Sequence, residues 1–260
     1  MPCVDLFKAT IDLLWSIVGV AMTLVSSLLH QPSGFADTPV ATPAIVLASL
    51  IQAPPVDDLV TKLSAADPAE RVIAACEMQR LGSDARRAIP ALIERLADGS
   101  PVDPMVCGKD RYWWSKDIDR QTTPGEEAAA ALVAIGTDAL APLLMSARAP
   151  QWTARRNAVW ALGALRDRRA IPPALMALAD REPPVRRVAA WALGALGADD
   201  AVAALIDALK DPDADVRAQA AWALGALRDR RASDALAALL KDASPRVRKQ
   251  AAWALGAIGR

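Results

Sequence analysis

Residues 211–242, DPDADVRAQAAWALGALRDRRASDALAALLKD, contain one unit of a pattern that recurs along the chain. The string WALGAL or WALGAI occurs four times, and its tryptophans follow one another at intervals of 31 residues: Trp160, Trp191, Trp222 and Trp253. Similarity at a fixed period of this length indicates a repeat architecture, because one unit cannot bury its own apolar face and must stack on its neighbours.

Each unit divides into two helices that a short polar turn, such as residues 228–230, separates. In the first helix the apolar side chains fall within an arc of roughly 100°. They are Val216, Ala220, Ala223, Leu224 and Leu227. The second half, residues 232–240, places apolar side chains at a similar spacing. Ser244 followed by Pro245 is typical of an N-cap and the first position of a helix. The unit is therefore predicted to be a helical hairpin.

Fainter copies of the unit lie upstream of the four clear ones. Gly82 and Gly136 occupy the position that Gly197 holds, and Thr123–Glu126 predicts a capping box. The first helices are predicted near residues 69–81, 124–135, 153–165, 184–196, 215–227 and 246–258. The step from Gly82 to Gly136 is 54 residues, against 31 for a normal step of the repeat. The excess indicates a loop insertion at residues 99–122.

The repeat framework can be written D-x-x-x-VR-x-x-AA-x-ALG-x-(I/L)-(G/R)-D, followed by an apolar helix. This pattern resembles the short HEAT-like repeats that are named after the phycobilin lyases. The resemblance covers residues 56–260 apart from the insertion, and it implies an all-α fold. We therefore expect an α-solenoid of about six 31-residue helical hairpins. The family includes lyase subunits as well as adaptors and scaffolds, and the match is confined to framework residues, so lyase activity is not carried over.

The composition argues against most catalytic chemistry. Trp contributes 8 aromatic residues against 2 Phe and 1 Tyr, and His30 is the only histidine. Ser-His-Asp and Cys-His catalysis and His-ligated metals are therefore not expected. The three cysteines lack CxxC spacing, so no metal or cofactor is predicted. Lys and Arg number 30, as do Asp and Glu, so no global field favours nucleic acid. The chain is thus more typical of a binding protein than of an enzyme.

The N-terminal segment suggests export or membrane attachment. Residues 13–29 are uncharged, and Gly34 and Ala36 are small residues at the offsets of a cleavage site. Residues 1–36 are predicted to be a cleaved signal peptide, which would make the protein periplasmic or extracellular. The alternative is an uncleaved N-terminal membrane anchor, which would be the chain's only contact with the membrane. Residues 37–55 contain four prolines and are predicted to be a Pro/Ala-rich linker.

The tryptophan row is the first candidate binding feature. On a helical wheel Trp222 points roughly 140° away from the apolar face of its own helix. The family resemblance implies that this position lines the concave face, where Trp is favoured at interfaces. The candidate binding residues are Trp160, Trp191, Trp222, Trp253, Arg156, Arg187, Gln219 and Lys249. The alternative is that the tryptophans are framework residues that pack against the neighbouring repeat.

A column of arginines is the second candidate. It consists of Arg71, Arg155, Arg186, Arg217 and Arg248. These side chains are interpreted either as a stripe that binds phosphate or as a framework ladder. Asp180, Asp211 and Asp242 recur at the same period and are the expected partners in the framework interpretation.

The insertion is the third candidate. Tyr112, Trp113 and Trp114 stand among basic residues, a combination that suits stacking on bases or sugars. The alternative is a loop that folds over the groove and buries its own aromatic side chains. Cys107 in the insertion and Cys76 in the preceding first helix could form a disulfide if the protein is exported. The alternative is that one of them is a core residue and the other a free thiol.

These features predict a protein-binding scaffold that uses the concave face of the solenoid, with a partner that the sequence does not identify. A lyase-like enzyme subunit and nucleic-acid binding through the arginine stripe are the alternatives, and nucleic acid is disfavoured by the balanced charge. The chain stops after a helix of the first type, so either the chain is truncated or its open end pairs with something, and end-to-end self-association is a further expectation.

Overall fold

A computed structural model describes residues 55–107 and 121–259. The predicted signal or anchor, almost all of the predicted linker, and Tyr112, Trp113 and Trp114 lie outside the described residues. None of the helices in the described ranges has both the length and the apolar character needed to cross a membrane.

The described residues form paired helices in two layers. The first-layer helices are α2 (Pro68–Leu81), α4 (Pro124–Ile135), α6 (Trp152–Leu165), α8 (Pro183–Ala195), α10 (Ala214–Leu227) and α12 (Pro245–Ile258). The second-layer helices are α1 (Val56–Lys62), α3 (Ile89–Arg95), α5 (Leu140–Ser146), α7 (Ile171–Ala177), α9 (Val202–Ala208) and α11 (Ser233–Ala238). The prediction of an all-α solenoid of helical hairpins is confirmed.

Polar N-caps begin three of the six first helices of the described residues, whereas Ser244, the predicted N-cap of α12, forms no side-chain capping hydrogen bond. The Asp213 carboxylate accepts hydrogen bonds from the backbone N–H groups of Asp215 and Val216, which have no partner inside the helix. Two of the six first helices end in a left-handed arginine, Arg166 and Arg228, each with a φ of 55°. Glycine adopts this conformation without strain, so both arginines carry a small backbone cost.

The predicted capping box at the start of α4 is only half formed. The Thr123 hydroxyl accepts from the backbone N–H of Glu126, as a capping box requires. The Glu126 carboxylate does not return to the cap but lies 3.0 Å from Arg156 in the next first helix. The acid at this position therefore joins two repeats.

Alanine lets the first helices approach closely. Each first helix packs along the first helix of the following repeat. Ala158, Ala189 and Ala220 are completely buried between them, and the leucines Leu193 and Leu224 fill the layer beneath. Small side chains shorten the distance between helix axes, so a long framework of Ala and Leu replaces the aromatic core of an ordinary globular domain.

The base of the insertion is closed by backbone hydrogen bonds. Val102 and Thr122 form an isolated antiparallel bridge, with N–O distances of 2.8 and 2.9 Å. Within the described residues this bridge is the only extended pairing. It holds the two ends of the insertion together beside the N-termini of α4 and the body of α2.

Candidate binding face

Three of the four clear tryptophans, Trp191, Trp222 and Trp253, pack on a glycine of the preceding repeat. A Cβ atom added to Gly163 would lie 2.9 Å from Cζ3 of Trp191, and one added to Gly194 would lie 2.9 Å from Cζ3 of Trp222. The same contact recurs one repeat later between Gly225 and Trp253, at 2.7 Å. The glycine of WALG is thus required by the close approach of the next tryptophan.

The tryptophan rings are not fully enclosed by these contacts. Trp160, Trp191 and Trp222 are half-buried, and Trp253 is 47% exposed. The rings of Trp160 and Trp191 are stacked, with centroids 6.3 Å apart and planes inclined by 13°. Both interpretations of the tryptophans, as framework residues and as surface residues, therefore apply to Trp191, Trp222 and Trp253. One part of each ring packs on the glycine, and another part is exposed to solvent.

The polar candidates beside this row differ in their surroundings. Arg156 pairs with Glu126 and lies 5.7 Å from the centre of the Trp152 ring. Arg187 is half-buried and Lys249 is exposed, and no ion pair among the described residues includes either cation. Gln219 is half-buried next to Trp222. We call the surface formed by the four tryptophans together with Arg187 and Lys249 the Trp face.

Four of the five arginines of the column form an internal ladder with aspartates, whereas Arg248 is exposed and donates to backbone carbonyls. The shortest side-chain distances are 2.6 Å for Arg155–Asp180, 2.7 Å for Arg186–Asp211 and 2.9 Å for Arg217–Asp242. Each of these arginines also donates to two backbone carbonyls in the loop that precedes its helix. The guanidinium groups of these three arginines are occupied by hydrogen bonds within the protein, so the three side chains do not form a stripe that could bind phosphate.

The same ion pairs shift the titration of the aspartates. The hydrogen bond from Arg155 lowers the pKa of Asp180, and the hydrogen bond from Arg217 lowers the pKa of Asp242. In return, the hydrogen bond to Asp180 raises the pKa of Arg155. A paired carboxylate resists protonation because its charged form is the one that the arginine stabilises.

The cysteines and a buried glutamate meet at the base of the insertion. Cys76 and Cys107 are joined by a disulfide, with Cα atoms 6.1 Å apart. Oε2 of Glu127 lies 3.5 Å from Sγ of Cys76, and the Thr122 hydroxyl donates to Oε1 of Glu127 at 2.9 Å. Glu127 is only 3% exposed. Cys76 occupies the repeat position of the tryptophans, so at this repeat the insertion covers the first-helix layer.

Sequence reasoning did not find Glu127. It is 51 residues from Cys76 and lies in the first turn of α4, where acids are common because they favour helix N-termini. No spacing rule relates it to the cysteines. Only its burial in the folded chain marks Glu127 as a candidate functional residue.

The second-helix layer carries a further feature that repeat analysis missed. Met145 is 78% exposed and lies in two neighbouring shallow grooves, with Leu144 and Pro173 in one and Ile93 and Pro142 in the other. These positions change from repeat to repeat, so periodicity gives no sign of them.

The repeat framework agrees with a known family. Residues 137–214 and 202–260 match the family model described as HEAT repeats. The predicted resemblance to HEAT-like repeats is therefore confirmed over this part of the chain, which contains α5 to α12. No curated protein matches the chain in sequence.

Solved structures show the same fold. The protein is similar to a chain in the complex of CpcE and CpcF of phycocyanin lyase from Nostoc sp., with 22% identity, coverage of 87% of this chain and 82% of that chain, and a TM-score of 0.50. It is similar to Escherichia coli YibA, with 20% identity, coverage of 83% and 75%, and a TM-score of 0.54. It is also similar to Kap95p in complex with RanGDP, with 16% identity and a TM-score of 0.60. That match covers 84% of this chain and 32% of Kap95p.

Proposed function

We propose that this HEAT solenoid is a scaffold that binds a protein partner through the Trp face. The observation that carries the proposal is the row of tryptophans at one position of four successive repeats, each with part of its ring at the surface. An extended row of aromatic edges offers contact area along the solenoid without ordering flexible side chains.

The partner is proposed to carry carboxylates beside apolar side chains. Arg187 and Lys249 flank the row and are not held by the ion pairs that occupy the arginine ladder. A carboxylate of the partner would gain a charge-assisted contact with them, while its apolar side chains pack on the rings. The similarity to Kap95p, whose structures are complexes with RanGDP and with Nup1, supports the use of this fold for protein binding.

The proposal is tested with the double variant Arg187→Glu and Lys249→Glu in the full chain. The probe is a panel of immobilised peptides that combine Asp or Glu with Leu or Phe, compared with the same peptides in which Lys replaces the acids. We expect the parent protein to retain acidic peptides and the variant to lose at least tenfold in affinity, because two attractive contacts become repulsive.

The matched control is Arg168→Glu with Lys210→Glu, which changes the net charge equally. Arg168 and Lys210 are exposed and lie outside the first helices. Unchanged binding in this control, with loss in the first variant, supports the Trp face. Equal loss in both variants would show that net charge and not the Trp face decides binding. Equal retention of the lysine-containing peptides would show that the protein does not recognise carboxylates. Tryptophan replacement is a poor first test, because each ring is also part of the framework.

A further inference from the structure

A second candidate site lies at the base of the insertion, away from the clear tryptophan repeats. It is composed of Cys76, Cys107 and Glu127, which come from α2, the insertion and α4. The two sulfurs and a carboxylate oxygen all lie within 4.8 Å of one another. Thiolate and carboxylate are ligands that zinc accepts, and three protein ligands with water as the fourth is an established zinc arrangement.

From these positions we propose that the cluster is a redox-controlled site for a thiophilic divalent cation of the zinc class. In the oxidised state the cysteines form the disulfide. In the reduced state the sulfurs of Cys76 and Cys107 and Oε2 of Glu127 bind the cation. The sequence showed no such site, because its three ligands do not share a local spacing motif.

The geometry of the carboxylate suits this role. Zinc–sulfur bonds are about 2.3 Å long and zinc–oxygen bonds about 2.0 Å. In a tetrahedral zinc site, a sulfur ligand and an oxygen ligand therefore lie about 3.5 Å apart. Sγ of Cys76 and Oε2 of Glu127 are 3.5 Å apart before any cation is bound. When the disulfide opens, the two sulfurs must separate to about 3.8 Å to bind the same zinc ion. Cys107 is the residue that moves, because it is half-buried and lies in a short 3₁₀ turn.

The surroundings of Glu127 favour a fixed ligand. Its other carboxylate oxygen accepts a hydrogen bond from the Thr122 hydroxyl at 2.9 Å, and Thr122 is itself held by the backbone bridge to Val102. A hydrogen bond from outside the ligand set orients a carboxylate before the cation arrives. Cys76 and Glu127 are buried whereas Cys107 is partly exposed, so a reductant or a cation would enter from the Cys107 side.

The chemistry balances in two steps. A small dithiol reduces the disulfide by thiol–disulfide exchange: the protein gains two thiols, and the dithiol becomes a cyclic disulfide. The cation then displaces one proton from each thiol, so two protons are released for each cation bound. Reoxidation by a disulfide compound expels the cation and restores the Cys76–Cys107 bond. The redox state of the surroundings thus decides which cross-link holds the insertion to α2.

The test uses the full chain in a Cys3→Ser background, so that only the two cysteines of the site remain. The disulfide is reduced with a phosphine, since a dithiol would itself bind zinc. The reduced protein is titrated with Co²⁺ as a spectroscopic substitute and then with Zn²⁺. We expect one cation for each chain, a thiolate-to-cobalt absorption in the near ultraviolet, and protection of both cysteines from alkylation once Zn²⁺ is present.

Three variants distinguish this site from adventitious binding. Cys76→Ser with Cys107→Ser should remove the thiolate absorption, and Glu127→Gln should weaken Zn²⁺ binding by roughly tenfold or more with the thiolate band retained. Thr122→Val should weaken binding by a smaller factor, because it removes only the group that orients the ligand.

Equal Zn²⁺ affinity in the parent and the double serine variant would overturn the proposal. So would a disulfide that the phosphine does not reduce while circular dichroism shows a folded chain, because the cross-link would then be permanent. Unchanged affinity in Glu127→Gln would remove the carboxylate from the ligand set and with it the three-ligand site.

Discussion

The N-terminal and C-terminal repeats of the solenoid are joined by different contacts. From α6 onward, tryptophan packs on the glycine of the preceding repeat three times in succession. In the first two repeats Cys76 and Ala130 occupy the tryptophan position, and Gln79 and Val133 occupy the glycine position. There the disulfide joins α2 to the insertion.

One contact is common to both regions, and this shows which part of the repeat is framework. Arg71 pairs with Asp98 at 2.8 Å in the first repeat, in the same manner as Arg155 with Asp180 further on. The ladder is present in the first repeat, where Cys76 replaces tryptophan, although Gly125 occupies the arginine position of the second. The Trp–Gly contact is therefore an addition to a fold that the Arg–Asp contact and the Ala–Leu core already specify.

The largest expected effect concerns the N-terminal region alone. Replacement of Cys107 by Ser opens the disulfide, which closes a loop of 31 residues. The chain-entropy relation predicts a loss of about 4 kcal/mol in the stability of this region. Hydrogen exchange should accelerate in α2 and change little in α10. Equal acceleration in both helices would show that the two regions unfold as one unit, and would contradict the view that different contacts stabilise the N-terminal and C-terminal repeats.

The next effect concerns the ladder. Arg217→Ala removes a guanidinium that is 16% exposed and paired with Asp242, and the aspartate is left without its main partner. We expect a cost of roughly 3 kcal/mol in the free energy of unfolding, measured by urea titration.

The control for the ladder is Arg246→Ala. Arg246 also joins neighbouring repeats, through Asp215 at 2.7 Å, but its side chain is 56% exposed. A pair this exposed contributes less than about 1 kcal/mol. Similar losses from Arg217→Ala and Arg246→Ala would argue that burial does not distinguish the ladder from ordinary surface pairs.

A smaller effect tests the Trp–Gly contact directly. Gly225→Ala places a Cβ 2.7 Å from both Trp253 and the backbone of Ala254, so the repeats must shift apart. We expect a net loss of about 2 kcal/mol, within the range found for overpacked cores.

Gly256 provides the matched control one repeat later. A Cβ at Gly256 meets no atom of the described residues within 4 Å, so Gly256→Ala should be neutral or stabilise α12 by about 0.5–1 kcal/mol through helix propensity. Thermal denaturation of the two variants should give melting temperatures that move in opposite directions. If both variants lowered the melting temperature equally, the contact with Trp253 would not be the reason that position 225 requires glycine.

The last prediction concerns acid. Since the ladder lowers the pKa values of Asp180 and Asp242 in the folded chain, their contribution to stability is complete above the unfolded value, about 3.9. It is lost as the pH falls below that value through the folded pKa. The urea midpoint should therefore decline below about pH 4 and stay nearly constant from pH 5 to 7. In Arg217→Ala this decline should be shallower, because the hydrogen bond from Arg217 no longer lowers the pKa of Asp242.

The helices of the first layer were predictable to within a residue or two. Residues 215–227 were expected for the helix that spans Ala214–Leu227, and residues 124–135 for Pro124–Ile135. This precision has a physical origin: the apolar period, the N-cap and the residue after the helix are all local properties. They recur in every unit, so an error in one copy is corrected by the others.

The partners of the candidate residues were less predictable. The helical wheel indicated that the tryptophans point away from their own hairpin, but not that Trp191, Trp222 and Trp253 each pack on the glycine of the preceding repeat. The recurring aspartates suggested the ladder, but only the distances show that Arg155 reaches Asp180, 25 residues on, and leaves Arg187 outside the ion pairs of the described residues.

The sequence by itself therefore determined the helical hairpin, its period, its family resemblance and the position of the insertion. Only the tertiary structure decided which surfaces remain for binding, and that Glu127 lies beside Cys76. The reason is that local periodicity specifies how one unit folds, whereas contacts between units depend on the stacking distance and on the path of an insertion that has no repeat to define it.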